Sequence, residues 1–392
     1  MTFGFSLILL IIWSTFFLWL AAIIWTRRSL QTIKDLPIRA NLTRNAASVS
    51  ILLPARNEEN RVLRECIKSL FAQDYLNFEI IAVNDRSVDK TGEILRESSK
   101  VNEKLIVIEG AELPENWLGK CFALQQAFEK SRGDWILITD ADILFAPNAL
   151  TTAICYAEES GFDALTLIPY TICESFWEKV FMPIFEWFRL MAMPFERAND
   201  PKRPESLGIG NFFLMRREVL TKLNGFTSVR AEVAEDLKLA DIIKRENFKI
   251  RLDFAPNLIK TRMYESLQDI WHGFTKNFFA ALNFSTLKTF FGAASIISFG
   301  VFPLIFATVC LILFLITPQT YYLAIFAPLL SIYFLQISVF AIFNRTLKVN
   351  MIYAVFAPLG LGLFAAILIN STFRILTGRG VVWKGRAIYQ RN

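Results

Sequence analysis

Four long apolar stretches bracket a region in which short apolar runs alternate with charged, amphipathic segments. Residues 3–25 carry no charge and are apolar almost throughout. At about 1.5 Å per residue, a helix of that length crosses a bilayer core of about 30 Å. Apolar stretches return at 290–316, 321–343 and 351–370, each long enough to span, with Pro303, Pro328 and Pro358 as expected kink points. Between residues 49 and 264 the pattern predicts strands at 49–53, 79–83, 105–108, 135–139 and 164–168, and helices at 61–71, 91–98, 122–130 and 147–160. A second group comprises a strand near 211–215, a helix near 235–245 and a strand near 249–253. This alternation predicts an α/β domain whose mostly parallel sheet is covered by helices on both faces. Segments 176–195 and 270–290 are aromatic and amphipathic without a clean apolar run of spanning length, and read as helices lying in the membrane interface. For the first, a buried helix of the α/β domain is the alternative. The expected organisation is an N-terminal transmembrane anchor at 1–28, the α/β domain at 45–265, an interfacial helix at 266–290, transmembrane helices at 290–372 and a basic tail at 373–392.

Composition and charge place this architecture. Of 392 residues, 54% are hydrophobic and 20% charged, more apolar than a soluble chain of this length. No basic segment precedes the first apolar stretch and no small-residue cleavage site follows it, so it reads as an uncleaved anchor. Arg27, Arg28 and Lys34 follow at once and put the α/β domain on the cytoplasmic side. The tail charges Arg374, Arg379, Lys384, Arg386 and Arg391 prefer that same side, whereas four spans would carry the tail across. Either one stretch is re-entrant or the first anchor dominates. Net charge is +6, with no long basic run. That balance fits lipid or phosphate attraction and gives no sign of nucleic acid as a partner. Cys66, Cys121, Cys155, Cys173 and Cys310 form no C-x-x-C, and His272 is the sole histidine, which excludes a His-rich zinc site. The scattered cysteines read as buried free thiols in a reducing compartment.

The chemistry-bearing residues follow the predicted strands, where parallel sheets bind ligands. Asn84-Asp85-Arg86-Ser87 begins as the strand at 79–83 ends, and Asp85 there can accept hydrogen bonds from a base or ribose. Asp140-Ala141-Asp142 follows the strand at 135–139. Two carboxylates straddling one residue at a strand end can be directed to one point, which suits Mg²⁺ or Mn²⁺ on a diphosphate. Trp117-Leu118-Gly119-Lys120 precedes a helix, where a Gly-Lys pair can meet phosphate. Glu235-Asp236 opens another helix, where acidic residues are favoured by the helix dipole and where Asp236 can also serve as a general base. Each signal also has a plain reading as a turn, a solvated acidic pair or a cap.

Together and in this order they resemble the family 2 glycosyltransferases of GT-A fold. The resemblance runs from about residue 48 to 276, opening at Ser50-Ile51-Leu52-Leu53-Pro54-Ala55-Arg56-Asn57-Glu58-Glu59 and continuing through Asp85, Asp140, Asp142, Gly208-Ile209-Gly210-Asn211 and Glu235-Asp236. It implies that Pro54, Ala55, Arg56 and Glu58 frame the nucleotide and that Asp85 contacts the base. It also implies that Lys120 and Asp140 contact the donor, that Asp142 with Asp140 holds the metal, and that Asp236 beside Glu235 is the base in an inverting displacement. Two departures stand out. Asn84 replaces an acidic residue of many members, and no Q-x-x-R-W follows the Glu-Asp pair. Trp271 and Lys276 are the candidates to take part of that missing motif's role in closing the site on the acceptor, interfacial anchoring being the plain reading of Trp271. The stretches around Trp117, Trp271 and Trp383-Lys384-Gly385-Arg386 are similar to bacterial carotenoid- and hopanoid-associated glycosyltransferases. The expectation is a sugar transfer from a nucleotide sugar, UDP-linked, to a membrane lipid acceptor, with the domain in the cytosol against a bacterial inner membrane. Transfer to a polyprenyl phosphate is one alternative, and an inactive nucleotide-sugar-binding scaffold is another.

Overall fold

The structure, a computed structural model, describes residues 2–32, 35–37, 47–192, 195–383 and 386–388. Lys34, Lys384 and Arg391, used in the charge argument above, lie outside them. The chain divides into two compact units. One comprises Ile33–Ile172 and Met193–Met263, the other Met1–Thr32, Cys173–Ala192 and Tyr264–Asn392.

Among the described residues, the first unit holds ten strands: β1 (Val49–Ala55), β2 (Phe78–Asn84), β3 (Leu105–Glu109), β4 (Trp135–Ile138), β5 (Ile143–Phe145), β6 (Ala164–Ile168), β7 (Tyr170–Thr171), β8 (Phe213–Arg216), β9 (Ile250–Phe254) and β10 (Ile259–Thr261). Seven form one sheet in the order β3-β2-β1-β4-β8-β6-β9. Only β8 runs against its neighbours β4 and β6; the other pairings are parallel. Strands β5, β10 and β7 make a small second sheet. The near-continuous apolar runs follow from burial on both faces. Along β1 the side chains alternate: Ile51 and Leu53 join the core under helices Leu63–Phe71 and Ala149–Ser160, and Leu52 joins the core under helices Gly119–Lys130 and Glu235–Arg245. Helix Leu63–Phe71 buries Leu63, Cys66, Ile67 and Leu70, one stripe at three-to-four spacing. The two cores fix the sheet, and the loops after β1, β2 and β4 gather at its C-terminal edge.

The other unit has, among the described residues, four helices long and apolar enough to cross a membrane: Phe5–Gln31, Thr286–Ile316, Thr320–Thr346 and Met351–Leu376. Pro303 lacks the N–H that would bond the Phe299 carbonyl one turn earlier. The helix opens into a π segment at Ile296–Val301. The Phe299 carbonyl instead accepts from Trp19 Nε1 at 2.9 Å and Gln336 Nε2 at 3.0 Å, which satisfies it without water.

One alternative falls here and one expectation is revised. Helix Phe176–Ala192 belongs to this unit and not to the α/β unit. Its Phe181 and Phe185 rings lie 5.0 and 4.4 Å from that of Phe274, and Phe278 is 4.4 Å from Phe364. The stretch expected as one helix at 270–290 is two. Helix Leu267–Ala281 ends at Asn283 and Phe284, both left-handed, with φ of 54°. The Ser285 side chain then caps a new helix that runs into the second apolar span.

Candidate active site

The loops after β1 and β2 are stitched to each other before any ligand enters. Arg56 Nη1 donates to the carbonyls of Asp85 (2.6 Å) and Arg86 (2.9 Å). The Glu58 amide donates to Thr91 Oγ1 (2.7 Å) and the Glu59 amide to Asp89 Oδ2 (3.0 Å). Ala55 ends β1 opposite Asn84, and the Asp85 amide donates to the Ala55 carbonyl at 2.8 Å. Pro54 and Ala55 thus form the floor of this edge, and Glu58 is buried beside Arg61. Asp85 is buried, and Arg86, with φ of 53°, folds back so that its Nε reaches Asp85 Oδ1 at 3.1 Å. Asn84, the departure from the acidic pattern, donates through Nδ2 to Glu109 Oε2 at 2.6 Å. Glu109 lies on β3 and also pairs with Arg96.

Beyond β4 the chain turns at Ala141 and Asp142. Ala141 turns into the core while Asp140 and Asp142 stay half-exposed. Lys120, in the first turn of helix Gly119–Lys130, joins this edge to the Glu-Asp pair: its Nζ stands 2.7 Å from Asp140 Oδ1 and 2.7 Å from Glu235 Oε1. The helix that carries Lys120 is pinned over the segment leading to Glu235. The Leu118 amide donates to the Arg230 carbonyl (2.7 Å), the Cys121 thiol to the Val229 carbonyl (3.2 Å), and the Phe226 amide to Gln125 Oε1 (2.7 Å). Asp236 accepts from the Gly210 amide at Oδ2 (2.8 Å) and from the Leu237 amide at Oδ1 (2.9 Å). Residues from four separate parts of the chain therefore meet at one point: Lys120, Asp140, Gly210 and the Glu235-Asp236 pair.

Electrostatics follow from this crowding. Burial alone would lower the Lys120 ammonium, but Asp140, Glu235 and Asp236 together outweigh it and hold it well above its ordinary value. Burial and the neighbouring Glu235 carboxylate push Asp236 up to about 6, against the pull of Lys120 and of its two amide donors. A carboxylate raised this far is matched to proton transfer near neutrality. Glu235 and Asp236 also lie in the first turn of their helix, where the helix dipole favours acidic residues, and Asp236 accepts the first-turn Leu237 amide, so the helix-start reading stands beside the catalytic one.

Among the described residues, no group of three or more His, Cys, Asp or Glu side chains could hold a metal ion. The donor set nevertheless suits a hard cation that takes most of its ligands from water and diphosphate. Asp140 and Asp142 offer oxygen only, and Arg61 Nη1 stands 4.0 Å from Asp142 Oδ2. Burial first, then the charges of Asp142, Glu58 and Asp140, raise the Cys66 thiol beneath them, so the three carboxylates act on one small region.

Trp271 and Lys276 lie on helix Leu267–Ala281 in the other compact unit, both half-buried. The sequence reading gave no role to Gly210 or Asn211. Asn211 Nδ2 donates to Asp140 Oδ2 at 3.4 Å, and its carbonyl accepts from Thr139 Oγ1 at 2.9 Å. Their signal in the sequence is the Gly208-Ile209-Gly210-Asn211 stretch just before a strand, which is part of the resemblance described above.

Comparisons with known proteins agree with this fold. The sequence model of the family described as Glycosyl transferase family 2 matches residues 50–223. A protein named 4,4'-diaponeurosporenoate glycosyltransferase from Staphylococcus haemolyticus (strain JCSC1435) is 25% identical over 233 residues, 59% of this chain and 60% of that protein. Its namesake in Staphylococcus aureus (strain USA300) is 25% identical over 259 residues, 65% of this chain and 66% of that protein. The chain thus spans slightly less than two thirds of the length of these relatives. A mannosyltransferase from Pyrobaculum calidifontis, solved in complex with GDP-Man and Mn²⁺, superposes with a TM-score of 0.53 at 16% identity, over 95% of this chain and 98% of that one. At that identity the likeness is one of fold. The α/β unit has the GT-A fold, and residues 50–223, somewhat less than half of the chain, match the family 2 glycosyltransferase model. The chain is similar to the two staphylococcal glycosyltransferases named above.

Proposed function

We propose that the protein transfers a sugar, with inversion, from a nucleotide-sugar donor, UDP-linked, to a lipid acceptor of isoprenoid, carotenoid or glycolipid type in a bacterial inner membrane. The observation that carries this reading is the Lys120 bridge, 2.7 Å to Asp140 on the donor side and 2.7 Å to Glu235 beside the raised Asp236. It brings the groups for leaving-group stabilisation and for proton removal to one point. The relatives' names support a carotenoid-type acceptor, and the four apolar helices support a membrane setting.

In this reading the loops after β1 and β2, with Asp85 buried between them, hold the nucleotide. Asp140 and Asp142 would hold Mg²⁺ or Mn²⁺, which supplies positive charge against the departing diphosphate. The acceptor oxygen attacks the anomeric carbon as the bond from that carbon to the diphosphate oxygen breaks. The proton of an acceptor hydroxyl passes to Asp236, and the nucleoside diphosphate leaves with the bonding pair. Lys120 stays within reach of both ends of the reaction. A carboxyl acceptor arrives already ionised near neutrality and needs no base, so the demand on Asp236 distinguishes the two acceptor chemistries. The test is a screen of purified full-length protein against UDP- and GDP-sugars with Mg²⁺ or Mn²⁺ and membrane lipid extract, read by mass spectrometry of the lipids. A hexose-sized mass increase on a lipid is expected. Donor binding with no glycosylated lipid for any pair would favour a nucleotide-sugar-binding scaffold.

A further inference from the structure

The Gly210-Asn211 turn touches both halves of the site. Its Gly210 amide donates to Asp236 Oδ2 at 2.8 Å, and its Asn211 side chain donates to Asp140 Oδ2 at 3.4 Å. Gly210 does not adopt positive φ, so its backbone does not itself demand glycine. Space does. A Cβ at Gly210 would stand 3.2 Å from Asp236 Oδ2 and 3.2 Å from Lys120 Nζ, closer than ordinary contact to both. Resting on the glycosyltransferase reading above, we propose that Gly210 and Asn211 are positioning residues of this site. The Gly210 amide aims Asp236, the missing side chain lets Lys120 approach that carboxylate, and Asn211 holds Asp140 in register with it.

Asp236 is faced by Glu235 from its own helix, by Lys120 from helix Gly119–Lys130 with Asp140 beyond it at the end of β4, and by the Gly210 and Leu237 amides. Of these, only Lys120 carries positive charge. A methyl at position 210 pushes the ammonium and the carboxylate apart, which favours the protonated form of Asp236. Gly208 differs: a Cβ there would meet the backbone carbonyl of Asp236 at 2.2 Å, so it sets helix placement and not charge.

The experiment follows thermal stability against pH in full-length wild type, Gly210→Ala, Lys120→Met, Asp236→Asn and the pairwise combinations. It needs no acceptor. Wild type should show a limb near the Asp236 transition that is absent in Asp236→Asn. Lys120→Met should move that limb to higher pH by about one unit and Gly210→Ala by a smaller amount, on the order of a few tenths of a unit, and the pair should move it no further than Lys120→Met alone. A limb left in place by Gly210→Ala, or shifted equally with and without Lys120, overturns the proposal. Should Gly210→Ala fail to fold, Asn211→Ala takes its place. It should weaken binding of Mg²⁺ with UDP at least about 10-fold while leaving the Asp236 limb in place, and wild-type binding would overturn the proposal. Where the lipid screen yields no product but the limb behaves as stated, the function reading fails and the positioning role stands. Glycosylated lipid together with an unmoved limb fails the positioning role alone.

Discussion

Replacing Lys120 with methionine keeps the stem and removes the ammonium between Asp140 and Glu235. Lys120 Nζ and Asp236 Oδ2 each stand 3.2 Å from one shared point, the Cβ position of Gly210. Their separation is therefore at most about 6 Å, and at an effective dielectric of about 20 the attraction is about 3 kcal/mol, or two pH units. The Lys120 side chain is 35% exposed, so solvent screens it, and about one unit is the expected effect. The sign is fixed: Lys120 pulls the Asp236 carboxyl down from where burial and Glu235 put it, so its loss raises Asp236 above about 6. With a hydroxyl acceptor at saturating donor, the acid limb of the transfer rate should move up by about one pH unit. The cost at neutral pH should then be largely recovered in mildly alkaline buffer. Stability should fall by about 2 kcal/mol, because Glu235 is left buried without its cation. An acid limb that stays in place, or moves down, refutes the electrostatic assignment of Lys120.

Asp142→Ala should abolish Mg²⁺-dependent binding of UDP while the protein still folds and inserts; binding that survives both this change and a chelator would remove Asp142 from the metal site. The Asp236 carboxyl, raised from 3.8 to about 6, contributes stability that is complete below 3.8 and is lost as pH rises through about 6. Asp236→Asn should therefore melt higher than wild type at pH 7.5, by up to about 3 kcal/mol of stability, with the difference gone in acid; equal melting curves across the range would contradict this. Arg27 and Arg28 after the first span predict a cytoplasmic α/β unit. A single cysteine introduced as Ser99→Cys in a cysteine-free background should resist an impermeant thiol reagent in intact cells, and rapid labelling would reverse the topology.

Periodicity and strand-end position made much of this architecture readable. Residues 164–168 and 235–245 coincide with the observed strand and helix, and β1, β2 and β3 differ from expectation by at most two residues at an end. Their signals are local: apolar runs bounded by turn residues, and amphipathic stripes. The small sheet of β5, β7 and β10 was invisible because two- and three-residue strands carry no measurable alternation, and all three pair only with partners distant in sequence. The break at Asn283-Phe284 was missed because an aromatic run continues across it and no Gly or Pro marks it. In the site, Asp85, Asp140, Asp142 and Asp236 were legible as residue types at strand and helix ends. That Lys120 joins Asp140 to Glu235, or that Asn84 donates to Glu109, is a long-range fact that the chain encodes only through the packing of its two cores.

The central claim is that Asp236 removes a proton from the acceptor and takes no part in holding the donor. Asp236→Asn preserves shape and removes the proton acceptor, and asparagine serves a helix start as well as aspartate does. Donor affinity, measured by calorimetry with UDP-sugar and Mg²⁺, and transfer rate to a hydroxyl lipid should be taken on the same purified preparation. The account predicts affinity within a few-fold of wild type and a rate lower by ~10²–10⁴. A wild-type rate would make Asp236 a residue that only begins a helix, and lost donor affinity in a folded protein would move it into the donor site.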